Sequence, residues 1–312
     1  MFKLLRRLLV LFTVGMVLLA GSPATQAAGV FSRGHSLPSM RWDRADQPDD
    51  LIYQGGPVTA GELKLYLIIL QPKGVSTTST SADTQRLLIR FAQDAGSSPL
   101  YKMLSQYTEY TDPKAFPSSL KYQQIFIIQS PHPADHVYSD KDMKDIVSKI
   151  QEEHNIPADL HHLFAIFGEQ GDKLCTEVSG KNYCSNQDFC AYHSFFGSQT
   201  TPTLYAVMGY PDMEGCQVKE TPNQNRVADS DIDNLSHEIW EVATDPLVPG
   251  KKAWVDRRGQ EIADKCLSKY GSSFPSTGGN VNWNGHLYEI QSEWDNATHS
   301  CTLGEVVKST KS

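Results

Sequence analysis

No Cys-x-x-Cys pair occurs anywhere in the 312-residue chain, so the usual spacing of a thiolate zinc site is missing. There is no Gly-x-Ser-x-Gly elbow either, which leaves a serine hydrolase of that type without support. Gly278-Gly279 stands alone and does not open a phosphate-cradling loop. The chain has no internal repeat and, beyond its first seven residues, no basic run. It therefore lacks the electrostatic footprint of a nucleic-acid binder and any attraction to anionic lipid.

What the N-terminus does hold is the pattern of a secretory signal. Residues 1–7 are basic, residues 8–21 apolar, and Thr25 and Ala27 take the small-residue positions before a cleavage expected after Ala27 or Ala28. The apolar run is short for a membrane span, and no Cys follows it to carry a lipid, so no stable membrane anchor is expected. Residues 1–28 are thus read as a signal peptide, and the protein as secreted, extracellular or periplasmic. Loss of residues 1–27 removes Lys3, Arg6 and Arg7 and no acid, which moves the formal net charge from −8 to −11. All six cysteines (Cys175, Cys184, Cys190, Cys216, Cys266 and Cys301) lie beyond the signal. An even count in an exported chain implies up to three disulfides, with their connectivity left open.

Residues 29–50 are polar without an apolar period and read as a flexible lead-in; residues 306–312 read as a frayed tail. Residues 51–305 are expected to form a single domain. Apolar runs place strands at 63–70, 122–129, 163–168 and 204–210, the first two as buried strands. Helical patterns cover 83–95 and 140–153, and another helix opens at Ser98-Pro99. Residues 175–190 are expected to be an irregular, disulfide-pinned excursion, and 281–291 a strand or a hairpin turning at Asn284-Gly285. The class is α/β: a mixed sheet with flanking helices and an irregular, disulfide-bonded C-terminal lobe.

The chemistry concentrates between Asp231 and Cys266. Ile232, Leu235, Ile239, Val242 and Ala243 share one stripe of a helix, capped among Asp229, Ser230, Asp231 and Asp233 and ending near Thr244, ahead of Pro246. His237 and Glu241 lie on the opposite face, one turn apart, where they can close on a shared ion. Glu238 stands beside them as a catalytic base for metal-bound water. In metallopeptidases with a His-Glu-x-x-His helix, that helix supplies two zinc ligands. Here the second would be Glu241, and Glu261, twenty residues on, the third. Asp264 follows as an acceptor that orients a ligating ring. His193 and Tyr192 are candidate oxyanion donors, with Tyr288 and His286 weaker ones. Two carboxylates blunt the ion's polarising power and also suit Ca2+ or Mn2+, so the cofactor expected is Zn2+, with Ca2+ or no ion as alternatives.

Several separated motifs then match one family. Tyr53-Gln-Gly-Gly-Pro-Val58 is followed by Ser236-His-Glu-Ile-Trp-Glu-Val-Ala-Thr-Asp-Pro-Leu-Val248. Glu261-Ile-Ala-Asp264 leads to Cys266, and Gln291-Ser-Glu-Trp-Asp-Asn296 leads to Cys301. Asp188-Phe-Cys-Ala-Tyr-His193 adds a feature of the family's bacterial branch. Over residues 51–301 the chain resembles the EXORDIUM or phosphate-induced protein family, in particular its bacterial relatives. The resemblance implies a secreted protein, associated in plants with the cell wall, and a zincin-like site on His237, Glu238, Glu241 and Glu261 with Asp264 in support. Two functions are expected from this. One is a secreted, monomeric zinc-dependent peptidase acting on peptides or proteins. The other is a non-catalytic extracellular protein that binds cell-wall material or a partner through a degenerate or structural metal site.

Overall fold

The computed structural model describes residues 49–72, 79–130, 136–185 and 187–304. The expected signal peptide, residues 29–48 of the lead-in and the tail at 306–312 lie outside them. In chain order the strands and α-helices are β1 (Ile52–Tyr53), β2 (Gly61–Pro72), α1 (Ser79–Ala95), α2 (Pro99–Lys102), β3 (Pro117–Ser130), β4 (Val137–Ser139) and α3 (Asp140–His154). They continue as β5 (His162–Phe167), β6 (Lys173–Val178), β7 (Lys181–Cys184), β8 (Ala191–Ser198), β9 (Thr201–Met208) and α4 (Arg226–Thr244). Short strands complete the chain: β10 (Trp254–Val255), β11 (Val281–Trp283), β12 (His286–Tyr288), β13 (Glu293–Asp295) and β14 (Ser300–Thr302).

The architecture is mixed α/β, as the pattern implied. A five-stranded sheet runs in the order β3-β2-β5-β9-β8, parallel throughout except for the antiparallel pair β8–β9 at one edge. The continuous apolar run of β2 is explained by burial on both faces. Leu63, Leu65, Leu67 and Ile69 pack with α1 and α4, whereas Tyr66, Ile68 and Leu70 pack with Met143, Val147 and Ile150 of α3. The helix α4 lies on the first face. Its expected stripe, Ile232, Leu235, Ile239, Val242 and Ala243, is fully buried in that core, beside Trp240.

Several elements differ from expectation. β3 is an edge strand, and its Ile127 is 36% exposed, so only β2 of the first pair is buried on both sides. The helix α4 starts earlier than its acids suggested. Asn225 is the cap, accepting from the Ala228 amide at 3.1 Å, and Asp231 and Asp233 are interior and buried. Residues 175–184 are not irregular: β6 and β7 form a hairpin in which the directly paired Cys175 and Cys184 are bonded. The other disulfides are Cys190–Cys216 and Cys266–Cys301. Three disulfides point to an oxidising, non-cytosolic setting. Among the described residues no helix is long and apolar enough to cross a membrane.

The Tyr53–Val58 motif has a packing reason. Its chain runs against residues 251–254, with Gln54 N donating to Ala253 O at 2.6 Å and Gly56 N to Lys252 O at 2.8 Å. A β-carbon on Gly56 would sit 2.3 Å from Lys251 O and 2.4 Å from Lys252 O. Gly56→Ala is therefore expected to cost about 1–3 kcal/mol, as overpacking against backbone does. A urea melt with an unmoved midpoint would discard this close-approach account.

Candidate metal centre

Three parts of the chain deliver the site. The helix α4 presents His237, Glu238 and Glu241. The edge strand β8 presents His193, whose side chain points to the α4 side while its neighbour Tyr192 points to the α3 side, as alternation along a strand requires. The turn after β10 presents Glu261 and Asp264, with Glu261 N donating to Asp264 Oδ2 at 3.3 Å. A 3-10 turn over Asp264–Cys266 and the Cys266–Cys301 disulfide fasten that turn to β14.

The side chains converge on Glu241. His237 Nε2 lies 3.2 Å from Glu241 Oε1 and 3.6 Å from Asp264 Oδ1. His193 Nδ1 lies 3.1 Å from Glu238 Oε2 and 3.5 Å from Glu241 Oε2. Ligand atoms around a tetrahedral ion with bonds of about 2.0–2.1 Å stand roughly 3.3–3.4 Å apart, and the nitrogen–oxygen distances here, from 3.1 to 3.6 Å, bracket that spacing. Two groups could thus hold a metal ion: His193, Glu238 and Glu241, and His237, Glu241 and Asp264.

The placement changes several expected roles. Glu261 is at the site, but its Oε1 approaches His193 Nε2, at 3.5 Å, and it is Asp264 that joins His237 and Glu241. Their spacing in the sequence was legible, but which of two acids three residues apart faces the helix depends on the turn between them. His193 is no oxyanion donor. Its Nδ1 is taken by the glutamates of α4, and its Nε2 by Glu261 and by Asp245 O at 3.4 Å. Tyr192 is remote, its hydroxyl donating to Asp140 Oδ1 at 3.0 Å. Tyr288 and His286 both turn to Asp94 Oδ2, each at 2.6 Å.

Two further residues were not anticipated. Glu293 of β13 is fully buried and feels the charges of His237, Glu241 and Asp264. Gln291 donates Nε2 to Ala263 O at 2.7 Å, accepts at Oε1 from Ser268 N at 3.2 Å, and stands 3.3 Å from His237 Nδ1. With the amide N–H directed at Nδ1, a neutral ring would carry its proton on Nε2, the nitrogen that faces Glu241 and Asp264. A ring that held an ion at Nε2 would carry its proton on Nδ1, beside the Gln291 amide.

The electrostatics are one-sided. Glu238, Glu241, Asp245, Glu261, Asp264 and Glu293 gather around two histidines, and among the described residues no Lys or Arg forms an ion pair with any of the six. Eight of their buried oxygens have no hydrogen-bond partner among the described residues: Glu238 Oε1, both of Glu241, both of Glu293, Asp245 Oδ2, Glu261 Oε1 and Asp264 Oδ1. Such groups are costly unless something positive meets them. Burial, reinforced by the charge on Glu241, pushes the Asp264 carboxyl up to about 7. Burial also presses Glu241 upward, but the two rings outweigh it and hold it below its ordinary range. Comparison with known protein families, curated proteins and solved structures found no match for the chain.

Proposed function

We propose that the chain is an exported metal-dependent hydrolase that cleaves peptide bonds, of the kind its resemblance to the EXORDIUM family's zincin-like helix suggests. One observation carries the reading: buried carboxylate oxygens without hydrogen-bond partners among the described residues ring two imidazoles, a donor set suited to a divalent cation. The imidazoles favour a transition ion, and Zn2+ is the proposed one, over the oxygen-seeking Ca2+. His237, Glu241 and Asp264 would hold it, and when bound it supplies an acidified water and a polarised carbonyl.

The chain's own groups do the rest. Glu238 Oε1 is buried and has no hydrogen-bond partner among the described residues, placed to take a proton from water; Oε2 is held 3.1 Å from His193 Nδ1, which keeps the carboxyl from turning away. His193 is in turn held by Asp245 O and Glu261, so it acts as a positioning residue. Export is supported by the signal-like N-terminus and by the three disulfides.

The test is metal content together with cleavage of a broad peptide library by purified, oxidised protein. At least one equivalent of zinc with cleavage is expected. Metal without cleavage would transfer the site to the non-catalytic, cell-wall or partner-binding reading, and a protein that takes up no metal would remove both.

A further inference from the structure

We propose that this cluster seats two divalent transition-metal ions and that Glu241 bridges them; the inference rests on the metallohydrolase reading and deepens it. Each oxygen of Glu241 serves a different ring: Oε1 is 3.2 Å from His237 Nε2, and Oε2 is 3.5 Å from His193 Nδ1. Glu241 is fully buried, and neither oxygen has a hydrogen-bond partner among the described residues. A carboxylate with its two oxygens directed at two separate imidazoles has the form of a bridge, and paired ions in hydrolases lie about 3.5–4 Å apart. The second seat is His193, Glu238 and Glu241.

One feature supports that seat, and a second supports the shared cluster. A ligating histidine donates its other ring N–H to a carbonyl or a carboxylate. His193 Nε2 already faces both, Asp245 O at 3.4 Å and Glu261 Oε1 at 3.5 Å. Glu293, from a different element, is also fully buried beside His237 and Asp264 with both oxygens partnerless among the described residues. Charge agrees. With neutral rings and all six carboxylates ionised, one dication leaves a formal −4 and two leave −2, which a low-dielectric interior tolerates far better. In this arrangement Glu238 Oε2 faces the second ion while Oε1 stays free for water.

The experiment is Mn2+ titration of the purified, disulfide-intact, metal-stripped protein, with bound metal counted by mass spectrometry and the spins read by electron paramagnetic resonance. The wild type is expected to bind two Mn2+ per chain with an exchange-coupled spectrum. His193→Ala and Asp264→Asn should each fall from two ions to one, with an uncoupled signal, and Glu241→Gln should lose the coupling. Near-UV circular dichroism identifies any variant that has not folded, and the wild-type count needs no variant at all. Saturation of the wild type at one ion overturns the second seat; if peptides are still cleaved, the hydrolase reading stands without it. Two ions without cleavage would do the reverse.

Discussion

Stripping divalent ions with EDTA is expected to lower the melting temperature by about 8–16 °C near neutral pH. An ion present at roughly a thousand times its dissociation constant stabilises the folded state by about 4 kcal/mol, and a domain of this size moves by about 2–4 °C per kcal/mol. The pH dependence carries the sign. Burial pushes Asp245 and Asp264 up to about 7, and Glu261 and Glu293 are raised by burial too. Without ions, the folded state holds protons that the unfolded chain has already released from about pH 4 upward. The stripped protein therefore loses stability as pH rises towards 7. Ions compete with those protons and bind better as they leave. The gap between loaded and stripped melting temperatures should thus widen from pH 5 to pH 7.5. A gap that stayed constant, or vanished, would mean that these acids do not hold the ion.

Glu238→Gln is expected to slow peptide cleavage by about 10²–10⁴-fold, the usual contribution of a general base. The substitution is nearly isosteric and keeps an oxygen for the contact with His193, so the loss should appear in kcat far more than in KM. It also removes one charge from a crowded, buried set, and melting should be unchanged or higher in the presence of chelator. Cleavage at more than a tenth of the wild-type rate would exclude Glu238 as the base.

How much of this could be read from the sequence differs by element. The α4 stripe was legible because a helix against a core repeats its apolar side chains about every 3.6 residues, and β2 because burial on both faces makes residues Leu65 to Leu70 an unbroken run without charge. Asn284-Gly285 was legible as a turn, and both residues adopt positive φ, 52° and 85°. By contrast, β8 was missed: its sequence follows a cysteine-rich hairpin and carries polar residues that only its neighbours bury. With it went the role of His193, which lies 45 residues from Glu238 and meets it only through the sheet's order. Glu293 sits within a quoted motif yet gave no signal, because nothing local distinguishes a buried acid on a three-residue strand from an exposed one. Cysteine pairing required the coordinates.

Leu51 and Asn296 are latched main chain to side chain in both directions, Leu51 N to Asn296 Oδ1 at 3.0 Å and Asn296 Nδ2 to Leu51 O at 2.8 Å. A contact spanning 245 positions can close only after nearly the whole chain has emerged from the ribosome. Glu293 lies three residues before Asn296, on the short strand that this latch adjoins. Bringing that acid against the helix acids requires segments from the two ends of the domain to meet, so the cost of their repulsion falls on tertiary assembly rather than on any local element.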